Sequence, residues 1–313
     1  MDVLNYVIKR ILQMIPVFIV VTIIVFFMIR MIPGDPAAVM LGTKATPEAL
    51  EAMREKMGLN EPILTQFLIF ARNLLRLDLG DSVKYSQPVA ELIRNRFFVT
   101  FCLTVVSTIF AVLISFSLGY TGGILKDKLP DYIVRFFALF GLSAPTFWIG
   151  LLLLTVFAVR LNIFPVSGWG TTLPEHVRGL ILPGLTQALG VSAVLIRNLR
   201  NNVIEIKGSD YVEFARSKGL SERIIKSRHI LRNAMIPTTT LLSLKIAYML
   251  GGSVVIESVF SLPGLGQLLV NGISNRDYAV VQGVVLTFVV IVMVINLVTD
   301  IIYSVLDPRV KLT

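Results

Sequence analysis

Residues 11–32 read ILQMIPVFIVVTIIVFFMIRMI, and the only charge among them, Arg30, stands near the far end. Crossing a lipid hydrocarbon core takes roughly 20 predominantly apolar residues in helical form, because backbone polar groups have no water to pair with there. This stretch is long enough, and five others also qualify: Phe97 to Tyr120, Ile133 to Val159, Leu180 to Ile196, Pro237 to Ile256 and Ala279 to Val305. The fourth is the shortest and opens on Leu182, Pro183 and Gly184, so a broken or tilted helix is expected there. The fold class expected is an all-α membrane protein with six transmembrane helices.

Composition agrees. The 313 residues are 55% hydrophobic and 16% charged, more apolar surface than one water-soluble core could bury. Cys102 is the single cysteine, which excludes an intrachain disulfide and a cysteine-rich metal site. The first apolar segment is too long for a signal-peptide core and no small-residue cleavage site follows it, so it is expected to remain as a span. A net charge of +9 raises the question of nucleic acid, but basic loops beside apolar spans are the ordinary mark of membrane topology.

Short-loop Lys and Arg resist translocation and orient the bundle. With the N-terminus inside, Lys9, Arg10, Lys126, Lys128, Arg135, Arg309 and Lys311 are cytoplasmic, together with nine basic residues between Arg197 and Arg232. Only Arg160, Arg178 and Arg276 fall in short external loops, so both termini are expected in the cytoplasm. Three regions follow: 1–32, the N-terminus and first span; 33–96, an external helical segment; and 97–313, a transmembrane core of five spans with a long cytoplasmic loop at 197–236. In the external segment Thr46 caps a helix opening at Pro47 and Glu48 and stopped by Gly58. A second amphipathic helix is expected from Pro62, with Leu64, Phe67, Leu68 and Ala71 as its apolar stripe.

The cytoplasmic loop holds nine basic and four acidic side chains in RNLRNNVIEIKGSDYVEFARSKGLSERIIKSRHILRNAMIP. Its pattern predicts order. Ser209 or Asp210 caps a short helix carrying Tyr211, Val212, Phe214 and Ala215, and Gly219 supplies the positive φ that ends it. Ser221 and Glu222 start a second helix, with Ile224, Ile225, Ile230 and Leu231 available for burial before Pro237 opens the fifth span. Such an elbow has the shape of a knob that a cytoplasmic partner could grip; composition alone favours interfacial helices on anionic lipid.

Glu213, Ala215 and Gly219, followed by His229, Asn233, Ala234 and Pro237, resemble the EAA signature of bacterial ATP-driven importer permeases. The dipeptide, oligopeptide and nickel group is the most similar within them, through Pro33-Gly34-Asp35-Pro36, Gly58-Leu59 with Pro62, Asp78-Leu79-Gly80, Pro145 with Trp148, Ile181-Leu182-Pro183, Pro263-Gly264-Leu265-Gly266, Arg276-Asp277-Tyr278 and Asp307-Pro308-Arg309. Phe214, Leu262 and Ala279 depart from the usual Ala, Trp and Pro. The resemblance implies a bacterial inner-membrane permease working with a second homologous permease, two ATP-binding subunits and an extracytoplasmic solute-binding protein. It assigns ATPase coupling to Asp210, Tyr211, Glu213, Phe214, Ala215, Lys218, Gly219, Ser221, His229 and Asn233.

No G-x-x-x-x-G-K phosphate loop occurs, so ATP and Mg belong on partner subunits and this chain is expected to bind no cofactor or metal and to catalyse nothing. Gly251 and Gly252 would permit close helix approach at mid-span. Glu257, Pro145 and Trp148 are grouped with them as pathway or gating candidates by resemblance. Lys245 and Asp300 lie at similar depth and are expected to form a structural ion pair, since intramembrane charges are usually partnered. An ion-gradient-driven secondary transporter is the rival class, distinguished by whether uptake follows ATP or the proton gradient. An intramembrane enzyme is the other, but no catalytic constellation occurs and His176 and His229 fall on opposite sides of the membrane. Among cargoes, short peptides come first, nickel or its chelates second, glutathione or a short sugar after.

Overall fold

The computed structural model describes residues 3–31, 35–42 and 45–306. Pro33-Gly34 and Asp307-Pro308-Arg309, quoted above, lie outside them. The described chain is helical apart from a two-residue antiparallel pairing of β1 (Asp81–Ser82) with β2 (Gln87–Pro88). Five helices are long and apolar enough to cross a membrane, and two more, joined at a sharp bend, make a sixth candidate if the pair counts as one span. The chain packs as two compact units, one from residues up to Thr100 with Pro263–Leu297, the other from Phe101–Leu262 with the residues that follow Val298.

The first unit opens with α1 (Val3–Arg30) and continues through α2 (Pro36–Leu41), α3 (Pro47–Lys56) and α4 (Ile63–Leu75). As expected, Thr46 is the N-cap of α3, its hydroxyl accepting the Ala49 N–H at 3.3 Å. Gly58 ends the helix with φ +65°, while the Gly58 and Leu59 N–H groups donate to Glu55 O and Arg54 O, both at 2.9 Å. This double bond to the last free carbonyls needs a residue that tolerates positive φ. The apolar stripe of α4 is only partly used: Phe67 and Phe70 pack on Phe26 of α1, at 5.2 and 5.6 Å between ring centroids, but Leu64 and Leu68 stay exposed. A second core gathers Val89, Leu92 and Ile93 with Leu265 and Leu268 of α12 (Leu265–Ser274) and Val280 and Val284 of α13 (Tyr278–Leu306). Asp277, buried before α13, accepts the Ser82 hydroxyl at 2.6 Å and the Lys84 N–H at 3.3 Å, holding the β1–β2 turn against this core.

The second unit is arranged around α8 (Leu173–Lys207), against which α6 (Leu129–Ser143), α7 (Thr146–Leu153) and α11 (Arg232–Val259) pack. The fourth span is therefore neither short nor broken. It begins at Leu173, where Glu175 accepts the N–H groups of Thr171 and Thr172, and it runs straight through Pro183. A proline removes one backbone bond, and burial from all sides outweighs that loss: 72% of its apolar stretch is buried, against 17 to 33% in the other four long spans. The break falls instead in the third apolar stretch. After α6 the chain turns by 109° at Ala144-Pro145 into α7, which finishes in a π-turn at Leu154–Arg160. Pro145 drives Ala144 into extended geometry, φ −82° and ψ 130°, where a helix cannot continue.

Within α5 (Val89–Ile124), Gly119 and Gly123 occupy a small-xxx-small spacing facing α8. A Cβ on Gly119 would stand 3.0 Å from Leu199 Cβ, and one on Gly123 would meet Val203 Cγ1 at 2.5 Å. Close backbone approach on lipid-embedded helices is gained this way. Gly251, by contrast, has nothing within 4 Å of its Cβ position and is exposed, and Gly252 approaches only the Gln187 amide. Within this chain no helix backbone among the described residues approaches that pair closely.

Candidate functional site: the cytoplasmic elbow

The elbow forms as two helices meeting at Gly219. The first, α9 (Asp210–Ser217), starts after Ser209, whose backbone is extended but whose hydroxyl donates back to Ile206 O at 2.6 Å. Ser209 therefore closes α8 and does not cap α9 with its side chain. At the other end Gly219, φ +78°, donates to Arg216 O at 2.9 Å and Leu220 N–H to Ala215 O at 3.3 Å, the same double closure seen at Gly58.

The second helix differs from expectation in one respect. It opens at α10 (Glu222–Ile224), passes through a π-turn at Ile225–Leu231 and continues without interruption into α11, so Pro237 lies inside one long helix. The π-turn has a packing cause. Ile225 and Ile230 are both fully buried, yet an α-helix would set residues five apart about 140° away from each other. Hydrogen bonding of the i→i+5 kind returns them to one face. There they join Val212 and Ala215 of α9, Leu199 and Val203 of α8, and Ala234, with Phe116, Tyr120 and Ile124 of α5 at the edge.

Polar ties complete the joint. Tyr211 donates its hydroxyl to His229 O at 3.1 Å, and the Asn233 amide donates to both Tyr211 Oη and His229 O, at 2.9 and 2.8 Å. Arg216 and Glu222 pair across the elbow at 2.8 Å in an exposed setting. Lys207 donates to Ile124 O at 2.9 Å, closing the end of α5. Burial sorts the ten residues singled out by resemblance. Ala215 belongs to the hydrophobic joint, and Tyr211, His229 and Asn233 lock it. Asp210, Glu213, Phe214, Lys218, Gly219 and Ser221 form the open surface, Phe214 being 61% exposed with the Lys218 ammonium 4.6 Å from its ring centroid. Leu220 and Ile224 join that surface as exposed apolar residues; Ile224 was expected to be buried, and the π-turn beginning one residue later turns it outward.

The support beneath the elbow escaped sequence reading. Asp131, fully buried in the first turn of α6, receives Arg200 of α8 through Nε at 2.5 Å and Nη2 at 2.8 Å, the Asp127 N–H at 3.0 Å and Arg135 at 3.5 Å. A bidentate guanidinium–carboxylate pair fixes both distance and orientation of the two helices. Nothing in spacing joins two residues so far apart in sequence. Deeper in the unit, Gln187 accepts from Ser107 Oγ at 2.8 Å and donates to Met249 O at 2.5 Å, tying α5, α8 and α11 together.

The remaining candidates do not converge. Pro145 and Trp148 are exposed at the bend of the third span, while Glu257 is enclosed near the end of α11. Lys245 lies 5.3 Å from the ring centroid of Tyr248, one helical turn on, which supplies a cation–π partner on the same face.

Two family models match the chain: the binding-protein-dependent transport system inner membrane component over residues 111–312, and the N-terminal membrane component of the same systems over residues 3–104. The chain is 39% identical over 308 residues to the glutathione transport system permease protein GsiC of Escherichia coli O6:H1, covering 98% of this chain and 99% of that one. The GsiC of Escherichia coli K12 is 38% identical with the same coverage. Among solved structures, the inward-facing MetNI methionine ABC transporter shares the fold at TM-score 0.59 and 18% identity, over 69% of this chain and 96% of that chain. The chain belongs to the membrane-spanning permeases of binding-protein-dependent ABC importers. It is a multi-pass inner-membrane transport subunit, not itself catalytic, in a system that implies ATPase and solute-binding partners.

Proposed function

We propose that this permease carries short peptides, with glutathione-sized molecules the nearest class, and that the elbow at Asp210–Leu231 receives the motion of a partner ATPase. The observation that supports the cargo is the end-to-end identity of 38–39% with permeases named for glutathione transport. Support for the coupling role comes from the elbow itself. Its exposed face presents Glu213, Phe214, Leu220 and Ile224 over a buried joint. Its second limb is continuous with the fifth span from Glu222 to Val259, a rod of about 57 Å at 1.5 Å per residue. Displacement at the cytoplasmic tip then moves the membrane portion without a loop to absorb it. A second, homologous permease and two ATPases complete the unit in this reading.

The test is uptake by cells carrying the complete importer, measured with labelled glutathione and labelled di- and tripeptides, with nickel as a parallel cargo. ATP-dependent peptide uptake that is lost when this chain is deleted supports the reading. Nickel uptake indifferent to excess peptide, or uptake that follows the proton gradient and not ATP, refutes it. Glu213→Lys tests the contact separately: ATPase co-purification and uptake should both fall while the permease inserts normally.

A further inference from the structure

Away from the elbow, within the first unit, an open cavity of about 570 Å³ is lined by Arg30, Asp35, Arg54, Leu59, Asn60, Glu61, Ile63, Gln66 and Tyr278. That volume falls in the range of roughly 300–1,000 Å³ typical of small-molecule sites. Its charges are unevenly satisfied. Arg54 is neutralised by Asp35 at 2.6 Å and Glu51 at 3.3 Å. Arg30 has no carboxylate partner among the described residues: its Nε donates to Gln66 Oε1 at 3.0 Å, its Nη1 reaches Phe26 O at 3.4 Å, and its guanidinium carbon lies 3.6 Å from the Phe26 ring centroid. The plane is thus pinned against the aromatic cluster while Nη2 keeps an unused donor. Beside it the Tyr278 side chain, in a residue 9% exposed, lines the cavity with no hydrogen-bond partner for its hydroxyl among the described residues. Glu61, in the same lining, is exposed, and its carboxylate forms no ion pair among the described residues.

A fixed cation beside an idle hydroxyl, with an exposed carboxylate in the same lining, is complementary to a zwitterion. The surroundings indicate its source. Arg30 is the last residue of α1, at the end of a span where headgroup phosphates lie. Ile63 in the wall continues into the exposed Leu64, Leu68 and Ile69 of α4, an apolar strip of the kind acyl chains cover. We infer that this cavity binds the headgroup of an aminophospholipid, its phosphate on Arg30 and Tyr278 and its ammonium on Glu61.

The test uses the assembled importer in nanodiscs containing equal phosphatidylethanolamine and phosphatidylglycerol, with retained lipid read by native mass spectrometry after detergent transfer. Wild type should retain phosphatidylethanolamine preferentially. Glu61→Gln, which alters an exposed side chain and leaves the fold alone, should lower that preference by roughly two- to fivefold, the worth of an exposed ion pair. Arg30→Gln and Tyr278→Phe should lower retention of both lipids, Arg30→Gln by roughly tenfold or more as expected for a charged hydrogen bond. Unchanged preference in Glu61→Gln, or unchanged retention in Arg30→Gln, overturns the inference. So does labelled dipeptide that binds the assembly without its binding protein and is lost in Arg30→Gln, because the zwitterion would then be a peptide.

Discussion

Replacing Gly219 isolates backbone conformation from packing. Its φ of +78° lies in the left-handed region, and an added Cβ would meet no atom within 4 Å, so no steric clash contributes to the outcome. What remains is the intrinsic cost of left-handed geometry for an L-residue, about 1–2 kcal/mol. Asparagine visits this region far more readily, and a β-branched residue least of all. The strain falls on the two bonds that close α9, from Gly219 to Arg216 O and from Leu220 to Ala215 O. Opening them frees α9 from the joint made by Val212 and Ala215, which is a local and not a global event. At 1.4 kcal/mol per tenfold, the opened population should rise about 5- to 30-fold in Gly219→Val, somewhat less in Gly219→Ala and little in Gly219→Asn. Hydrogen exchange of residues 210–231, measured on the assembled complex in lipid, reads this directly, with α8 amides as the internal standard. Equal exchange in Gly219→Val and wild type, or Gly219→Asn as disruptive as Gly219→Val, would show that the elbow does not depend on left-handed closure.

Other perturbations address the scaffold. Asp131→Ala leaves Arg200 facing a buried void and should cost about 3–5 kcal/mol in thermal or denaturant stability of the purified protein, whereas Asp131→Ala with Arg200→Leu should recover part of the loss. Gly123→Leu should prevent stable insertion, because even a Cβ meets Val203 Cγ1 at 2.5 Å; pairing it with Val203→Ala should not restore expression, since the Arg200 carbonyl also stands 3.0 Å away. Ser82→Ala removes the hydroxyl bound to Asp277 and should cost about 1 kcal/mol, seen as faster proteolysis at 82–88 without a change in the rest of the digest. Gln187→Leu unties Ser107 and Met249 O and should lower stability by about 1–2 kcal/mol, read from the midpoint of unfolding in detergent.

Much was determined by local order along the chain. Six apolar stretches announce spans because backbone groups in lipid must pair within their own segment. Thr46 and Gly58 bracket α3, and Gly219 ends α9, because caps act on neighbours three to five residues away. The candidate site was legible for the same reason: its charges, its glycine and its signature residues are contiguous. What only the tertiary structure decided is where distant side chains meet. Pro183 reads as a helix opening, yet α8 passes through it because burial from all sides outweighs one missing bond. Pro145 falls inside a stretch that reads as one continuous helix, and the chain instead bends there by 109°. The π-turn follows from two isoleucines that must share one face, and the Asp131–Arg200 clamp from helices far apart in sequence. A residue's type and its near neighbours specify helix ends and lipid exposure, whereas the choice among possible partners belongs to packing, which no spacing along the chain encodes.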